Sequence, residues 1–227
     1  MRNIKELFKL LISMPKSIVV NCMSLPINQA VKLPVLVSYD TKILSLRGKV
    51  ILKDPSFGMI RIGFGGAGSA STIRSILDNN GTLEFKGPLS MGGGSRLCTI
   101  TDNSSIVFGK NTYFMGDTLI TAASKITFGS NCLISWGTQF IDTDFHKIFM
   151  KDGEKQVNPD ATISIGENVW IASNVNILKG VIIPSGVVVA SGSTVSKPIE
   201  YGNCIVAGMP IKILKEDVYW EPWTDMI

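Results

Sequence analysis

The stretch that decides the fold is ISIGENVWIASNVNILKGVIIPSGVVVASGSTVSKPIE, residues 163–200. Within it, branched aliphatic residues recur at every sixth position without a gap: Ile165, Ile171, Ile177, Ile183, Val189 and Val195. An α-helix repeats about every 3.6 residues and a strand about every two, so a strict period of six fits no single helix. It fits a short strand followed by a bend, and three such units make one triangular coil of about eighteen residues.

The same period appears upstream in interrupted form. IVFGKN, ITFGSN and ISIGEN begin at residues 106, 126 and 163 and are copies of one unit, and LEFKG at residue 83 is a degraded copy. The last step between copies is much longer than one coil, which predicts a long loop at about 142–161. Long loops on a repetitive scaffold usually carry function. The only histidine, His146, lies near the start of this loop.

A stack of such coils would bury one aliphatic side chain per side against its equivalents above and below, so neighbouring coils stabilise each other. Gly and Asn beside the bends are expected to adopt positive φ. One further motif, GFGGAG at residues 63–68, matches the GxGxxG pattern. No strand–helix unit surrounds it, so it predicts a glycine-rich turn or loop and no dinucleotide site.

Composition limits the other classes of function. The 227 residues are 45% hydrophobic, enough for one domain with a small appendage. The net charge of +4 is too small to indicate nucleic-acid binding. Four widely spaced cysteines and one histidine argue against a metal site, and the cysteines are expected to be free thiols in a reducing compartment.

The N-terminal segment is predicted to be helical. Its apolar residues fall at helical spacing, at Ile4, Leu7, Phe8, Leu11 and Ile12. Lysines and a proline interrupt the segment, so neither a membrane span nor a signal peptide is expected. The favoured interpretation is a helix packed on the main domain. The alternative is a basic amphipathic helix in peripheral contact with a membrane surface.

The residues 163–215, ending in IVAGMPIKILK, resemble the hexapeptide-repeat acyltransferases, and ISWGTQFIDTDFHKI at 134–148 resembles their branch that acetylates sugars in surface-polysaccharide synthesis. The resemblance covers residues 106–215. It implies an all-β fold, the left-handed parallel β-helix, with a short N-terminal helical segment and a short C-terminal helix. The expected organisation is an N-terminal segment at 1–40, the β-helix domain at 41–215 and a tail at 216–227.

The resemblance also implies a chemistry. Members are homotrimers with active sites between subunits, and they transfer an acetyl group from acetyl-CoA to a hydroxyl or amine, with a histidine as general base. Here that base would be His146, because histidine changes its charge nearest to neutral pH. Asp142 and Asp144 would share a direction with His146 if the segment were extended, so either could orient the imidazole. Asp144 could instead bind acceptor hydroxyls.

Other site residues follow from the matched positions alone. Trp136 would either wall the acceptor site or cap the core. The positions expected along acetyl-CoA are Trp170 and Ser173 on the pantetheine arm, Ser191 beside its amides, Ser196 and Lys197 near the adenosine, and Lys212 and Lys215 facing the phosphates.

The sequence therefore predicts a cytoplasmic O-acetyltransferase that acts on a sugar or glycan precursor in capsule, lipopolysaccharide or exopolysaccharide synthesis. A peripheral position at the inner face of the membrane is the alternative for its localisation. The alternatives are an N-acyltransferase of an amino sugar or nucleotide sugar and a xenobiotic- or galactoside-type acetyltransferase. A metal enzyme on the same scaffold would need more histidines, and a non-catalytic scaffold would not need a histidine in a DTDFH loop.

Overall fold

The computed structural model describes residues 2–65, 73–151 and 153–222. Within these ranges two helices come first, α1 (Arg2–Ser24) and α2 (Ile27–Ala30), and 22 strands follow. The chain visits three parallel sheets in turn, and each visit to all three completes one coil of a triangular prism. The predicted all-β, parallel β-helix fold is thus confirmed.

The three sheets are the faces of the prism. The nine-stranded face contains, in order, β1 (Val35–Val37), β4 (Ile60–Ile62), β7 (Leu89–Met91), β10 (Thr112–Phe114), β13 (Leu133–Ile134), β16 (Trp170–Ile171), β19 (Val188–Val189), β21 (Ile205–Gly208) and β22 (Ile211–Lys215). The seven-stranded face contains β2 (Lys42–Leu46), β5 (Ile76–Asn79), β8 (Arg96–Thr99), β11 (Leu119–Ala122), β14 (Gln139–Ile141), β17 (Asn176–Leu178) and β20 (Thr194–Val195). The six-stranded face contains β3 (Lys49–Leu52), β6 (Thr82–Phe85), β9 (Ser105–Phe108), β12 (Lys125–Phe128), β15 (Ile163–Ile165) and β18 (Ile182–Ile183).

The period of six places one inward-facing side chain on each face. The pairs Ile165–Ile183, Ile171–Val189 and Ile177–Val195 are cross-strand partners on the six-, nine- and seven-stranded faces, and all six side chains are buried. In the copies of the FG unit, the rings of Phe85, Phe108 and Phe128 stack along the six-stranded face at centroid distances of 5.2 and 5.3 Å. The core is therefore a set of columns that run along the prism.

The expectation of positive φ is confirmed for asparagines and for glycines at several bends, whereas the glycine of the FG unit has a separate role. Asn111, Asn131 and Asn168 do have positive φ, between 53° and 58°. Gly129, two residues before Asn131, is instead needed for close approach, since a Cβ there would lie 2.4 Å from the carbonyl carbon of Gly166. In the GFGGAG motif, Gly63 and Gly65 have positive φ, and residues 66–68 lie outside the described residues.

The C-terminal end differs from the prediction. Strand β22 pairs antiparallel with β21, in place of a short C-terminal helix. The hairpin extends the nine-stranded face with Lys212 and Lys215 on its outer strand, and no helix occurs between residues 205 and 222. The last residues, 223–227, lie outside the described part of the chain.

Helix α1 does pack on the main domain, but not with its apolar face. The apolar residues at helical spacing, Ile4, Leu7, Phe8, Leu11 and Ile12, are 40–72% exposed. Ser13, Ser17 and Asn21 are fully buried against β1. By length and composition alone, the stretch Glu6–Ser24 would be sufficient to cross a membrane, although the sequence expectation was that no span exists. The first strand begins at Val35, within the segment assigned to residues 1–40.

Candidate active site

Three edges separate the faces, and most of the candidate residues lie along two of them. The first edge joins the nine- and seven-stranded faces, and the second joins the seven- and six-stranded faces. At the second edge the chain leaves the prism after Ile141 and returns at Ile163. The backbone N–H of Ala161 donates to the carbonyl of Asp142 at 3.1 Å, which closes the loop at its base.

Inside the loop the chain folds back on itself. The N–H of Val157 donates to the carbonyl of Ile148 at 2.8 Å, and the N–H of Met150 donates to the carbonyl of Lys155 at 3.1 Å. The outer part exposes a set of large apolar side chains: Phe145, Ile148, Phe149, Met150 and Val157, each 48–62% accessible. An exposed apolar loop of this kind is typical of a surface that meets another chain or a ligand.

His146 is exposed and lies just after a backbone reversal. Phe145 has φ of +59°, and the N–H of His146 donates to the carbonyl of Asp144 at 2.6 Å. The carbonyl of His146 accepts a bond of 2.8 Å from Nδ2 of Asn158. The backbone of the histidine is therefore held from both sides while its side chain faces the solvent.

Asp142 is buried, and its carboxylate is fully used by the scaffold. Oδ1 accepts from the N–H of Ala123 at 2.7 Å, and Oδ2 accepts from the N–H of Ser124 at 2.9 Å. Burial raises the pKa of this carboxyl group, against the lowering effect of the two hydrogen bonds. The carboxylate thus anchors the loop to the preceding coil. The segment is not extended, since Phe145 has left-handed φ, so the condition under which Asp142 would share a direction with His146 is not met.

Asp144 is exposed and bound to a lysine of the following coil. Nζ of Lys179 donates to Oδ2 of Asp144 at 2.6 Å, and to the carbonyls of Asn158 and Pro159 at 3.0 and 3.1 Å. The bonds from Lys179 and Asn158 lower the pKa of Asp144. Within the described ranges, neither aspartate accepts a hydrogen bond from the imidazole of His146.

Sequence reasoning missed Lys179 and Asn158. Both hold the loop that carries His146, and Lys179 lies at the same edge one coil further along the prism. The coil register could have found the lysine, because the residue after β17 stacks on the residue after β14. Asn158 had no comparable signal, since its place depends on how the loop folds back.

The first edge carries Trp136, Ser173 and Ser191 on successive coils. The hydroxyls of Ser173 and Ser191 are 2.9 Å apart, and the N–H of Asn174 donates to the carbonyl of Trp136 at 2.9 Å. Trp136 is 45% exposed, so it does not cap the core. No atom lies within 4 Å of a Cβ built on Gly192, which leaves an open surface beside Ser191.

The two remaining predicted pairs, Ser196 with Lys197 and Lys212 with Lys215, are exposed, and they lie apart from each other. Lys197 and Ser196 follow β20 at the second edge, one coil beyond Lys179. Lys212 and Lys215 lie on β22, at the end of the nine-stranded face. Each pair is open to a ligand phosphate, and each could equally be a solvated surface.

Trp170 lies on the nine-stranded face rather than at an edge. Its ring centroid is 6.0 Å from that of Trp220, whose Nε1 donates to the carbonyl of Asn168 at 2.6 Å. Nε1 of Trp170 is buried without a partner. Beside this pair runs a groove of about 1050 Å³, lined in part by Met59, Tyr113 and Trp220.

One chain therefore does not bring the predicted residues together. The seven-stranded face separates His146 on the second edge from Ser173 and Ser191 on the first edge. Among the described residues, no group of three or more His, Cys, Asp or Glu side chains could hold a metal ion.

The repeat and its geometry match known proteins. The family model described as bacterial transferase hexapeptide (six repeats) matches residues 162–197. Residues 162–197 thus carry the hexapeptide repeat of bacterial transferases within the chain. Its fold class is the left-handed parallel β-helix, as predicted.

Relatives and a solved structure extend this match. An uncharacterized 24.8 kDa protein in the cps region of Klebsiella pneumoniae is 39% identical over 145 residues, which are 64% of this chain and 63% of the relative. The polysialic acid O-acetyltransferase of Neisseria meningitidis is 35% identical over 125 residues, 55% of this chain and 58% of the relative. The matches thus span less than two thirds of either relative. The polySia-specific acetyltransferase NeuO superposes with a TM-score of 0.59 over 84% of this chain and 79% of its own, at 20% identity, which concerns the fold alone.

Proposed function

We propose that the protein transfers an acetyl group from acetyl-CoA to a hydroxyl of a sugar or glycan precursor, with His146 as the general base. The observation that carries the proposal is the position of this histidine, exposed on a loop that is fixed at its base to the rigid prism. The name of the Neisseria relative supports a surface polysaccharide as the acceptor. Capsule, lipopolysaccharide or exopolysaccharide synthesis is the proposed context.

In the proposed reaction, the imidazole of His146 removes the proton of the acceptor hydroxyl as its oxygen bonds to the thioester carbon. Backbone N–H groups would stabilise the oxyanion of the tetrahedral intermediate. The C–S bond then breaks, and the imidazolium returns the proton to the CoA thiolate. Neither Asp142 nor Asp144 takes part, because one binds two scaffold amides and the other binds Lys179.

The proposal includes a homotrimer with the active site between subunits. Two observations support it: the separation of His146 from Ser173 and Ser191 within one chain, and the exposed apolar residues of the His146 loop. In a trimer, the second edge of one chain could face the first edge of its neighbour, where acetyl-CoA would lie. The four free cysteines support a reducing compartment, and we place the enzyme in the cytoplasm.

The test measures CoA thiol release from acetyl-CoA with polysialic acid, other capsular polysaccharides, nucleotide sugars and amino sugars as acceptors. We expect His146→Ala to lower kcat by about 10²–10⁴-fold, with binding of CoA retained. Lys147→Ala, the adjacent exposed residue, is the matched control and should keep wild-type turnover. Unchanged turnover in His146→Ala would exclude the mechanism, and transfer only to amino sugars would favour the N-acyltransferase alternative.

Subunit sharing is tested in the same assay by co-assembly of two inactive variants. His146→Ala lacks the base, and Ser191→Trp blocks the open surface beside Gly192. If the site combines two chains, equal mixing should restore about a quarter of the wild-type sites. No recovery in particles of three times 24.6 kDa would place the site within one chain.

A further inference from the structure

Helix α1 is amphipathic, and it is oriented with its apolar side outward. Eight large apolar side chains, here called the outer stripe, are 40–72% exposed: Ile4, Leu7, Phe8, Leu11, Ile12, Ile18, Val19 and Met23. Ile27 and Val31 continue the exposed set through α2 at 73% and 67%. An apolar surface of this length on the solvent-exposed side of a helix marks an interaction site.

The orientation of the helix is fixed by hydrogen bonds to β1. Asn21 donates through Nδ2 to the carbonyl of Val35 at 2.6 Å and accepts from the N–H of Val35 at 3.1 Å. The hydroxyls of Ser17 and Ser13 accept from the N–H groups of Val37 and Tyr39, each at 2.9 Å. These side chains at every fourth position satisfy the open edge of the first coil. Turning the outer stripe inward would leave that edge unpaired.

The two lysines in the middle of α1 also point toward the prism. Nζ of Lys9 donates to the carbonyl of Gly63 at 2.7 Å, and Nζ of Lys16 donates to the carbonyl of Thr41 at 2.7 Å. The outer stripe is therefore free of these two charges. The same bonds oppose a membrane-spanning orientation, because withdrawing α1 from β1 would expose strand backbone without partners.

Positive charge is concentrated in the N-terminal part of the chain, which contains α1. Residues 1–65 contain ten Lys and Arg against three Asp and Glu, whereas residues 66–227 contain twelve against fifteen. The segment after α2 and the first coil carry exposed cations: Lys32, Lys42, Arg47, Lys49 and Lys53. Such a surface attracts an anionic layer and repels a second copy of itself.

We propose that the outer stripe docks in the plane of an anionic phospholipid bilayer, with α1 parallel to the surface and the cations of the first coil at the headgroups. The apolar stripe would enter the boundary between headgroups and acyl chains, and the polar side would stay bound to β1. This surface is separate from the His146 loop, so it stands whether or not the proposed reaction is correct.

The test is flotation of the full-length protein with vesicles of phosphatidylglycerol and phosphatidylethanolamine, or of phosphatidylcholine alone. We expect at least tenfold stronger partitioning to the anionic vesicles, weakened by high salt. Leu7→Glu with Leu11→Glu should reduce it at least tenfold, and Lys49→Glu with Lys53→Glu should remove the preference for anionic lipid. Ile182→Glu, at a residue 51% exposed on the six-stranded face, is the matched control and should bind as wild type.

Two measurements keep the outcome decisive. Circular dichroism checks that each variant is folded, and Leu11→Trp reports insertion by a blue shift of its fluorescence even if the glutamate variants unfold. Wild-type protein that floats with neither vesicle, or a folded stripe variant that floats as well as wild type, would overturn the proposal. A stripe variant that changes the sedimenting mass without lipid would show that a second copy covers the stripe.

Discussion

Lys179 is expected to control the order of the loop that carries His146. Its ammonium group binds Asp144 near the start of the loop and the carbonyls of Asn158 and Pro159 near its end. Replacing it with methionine keeps most of the aliphatic stem and removes all three bonds. The loop should then open more often, while the coils below and above it remain intact.

The stability that the loop loses in Lys179→Met can be estimated from the exposure of the groups that Lys179 binds. The side chains of Lys179 and Asp144 are 21% and 45% exposed, so their ion pair contributes at most about 1 kcal/mol. The two carbonyl bonds to a charged donor add about 1.5 kcal/mol each at the lower end of their usual range, and the three are not fully additive. A loss of about 2–3 kcal/mol corresponds to roughly 30–150-fold more opening, and the free energy of unfolding falls by no more than the same amount.

Hydrogen exchange of peptides covering residues 142–162, followed by mass spectrometry, measures the opening directly. Exchange should accelerate in Lys179→Met, and Lys179→Arg, which keeps the charge, should restore part of the protection. Lys147→Met, on the same loop, should exchange as wild type. Equal protection in Lys179→Met and wild type would refute the idea that this lysine holds the loop, whatever happened to turnover.

Two further predictions concern the scaffold. Phe108 is fully buried and stacked on Phe85 and Phe128. Changing it to alanine should lower the free energy of unfolding, measured by chemical denaturation, by about 3–5 kcal/mol. A loss below about 1 kcal/mol would contradict the column of rings. Asp142→Asn tests the raised pKa of the buried carboxyl group: the stability that this group contributes is greatest below its ordinary pKa of 3.8 and is lost as pH rises through the folded value. The difference in unfolding free energy between wild type and Asp142→Asn should therefore shrink from acid toward neutral pH, and a difference that grows would reverse the assigned direction.

The columns of the prism were predictable because one sequence period serves all three faces. Ile171 and Ile177 lie on different sheets, yet each pairs with the valine eighteen places further on, Val189 and Val195 respectively. The loop was predictable for a related reason, since the step from ITFGSN to ISIGEN is too long for one coil and its excess fits one long loop outside the prism. The six-residue spacing is enforced by the stacking of coils, so it can be recognised in a single sequence.

The buried side of α1 was not predictable from its own pattern. Apolar residues at helical spacing indicate the face that packs on a core, and here that face is exposed. The requirement that decides the orientation belongs to another element, because β1 is the edge of a sheet and its backbone needs Ser17 and Asn21 as partners. A helix pattern alone carries no information about an unpaired strand edge.

The role of Asp142 shows the same limit within the site. Its spacing from His146 suggested a partner for the imidazole, but its carboxylate binds the amides of Ala123 and Ser124, nineteen and eighteen residues earlier. Those amides are one coil away, at the same edge. In a coiled scaffold, the neighbours that matter to a polar side chain are separated by one coil length, and residues two places apart in a loop need not share a direction.

The loop of His146 is consequently held by three successive coils. Asp142 binds the coil before it, Ala161 closes its base, and Lys179 reaches back from the coil after it. Each attachment depends on the vertical spacing of the prism, which the buried aliphatic columns set. A general base must be placed within a few tenths of an ångström to act, and a loop tied to three rigid layers can meet that demand where an unattached loop of this length cannot. The repeat that builds the fold is thus also what would position the imidazole for proton transfer.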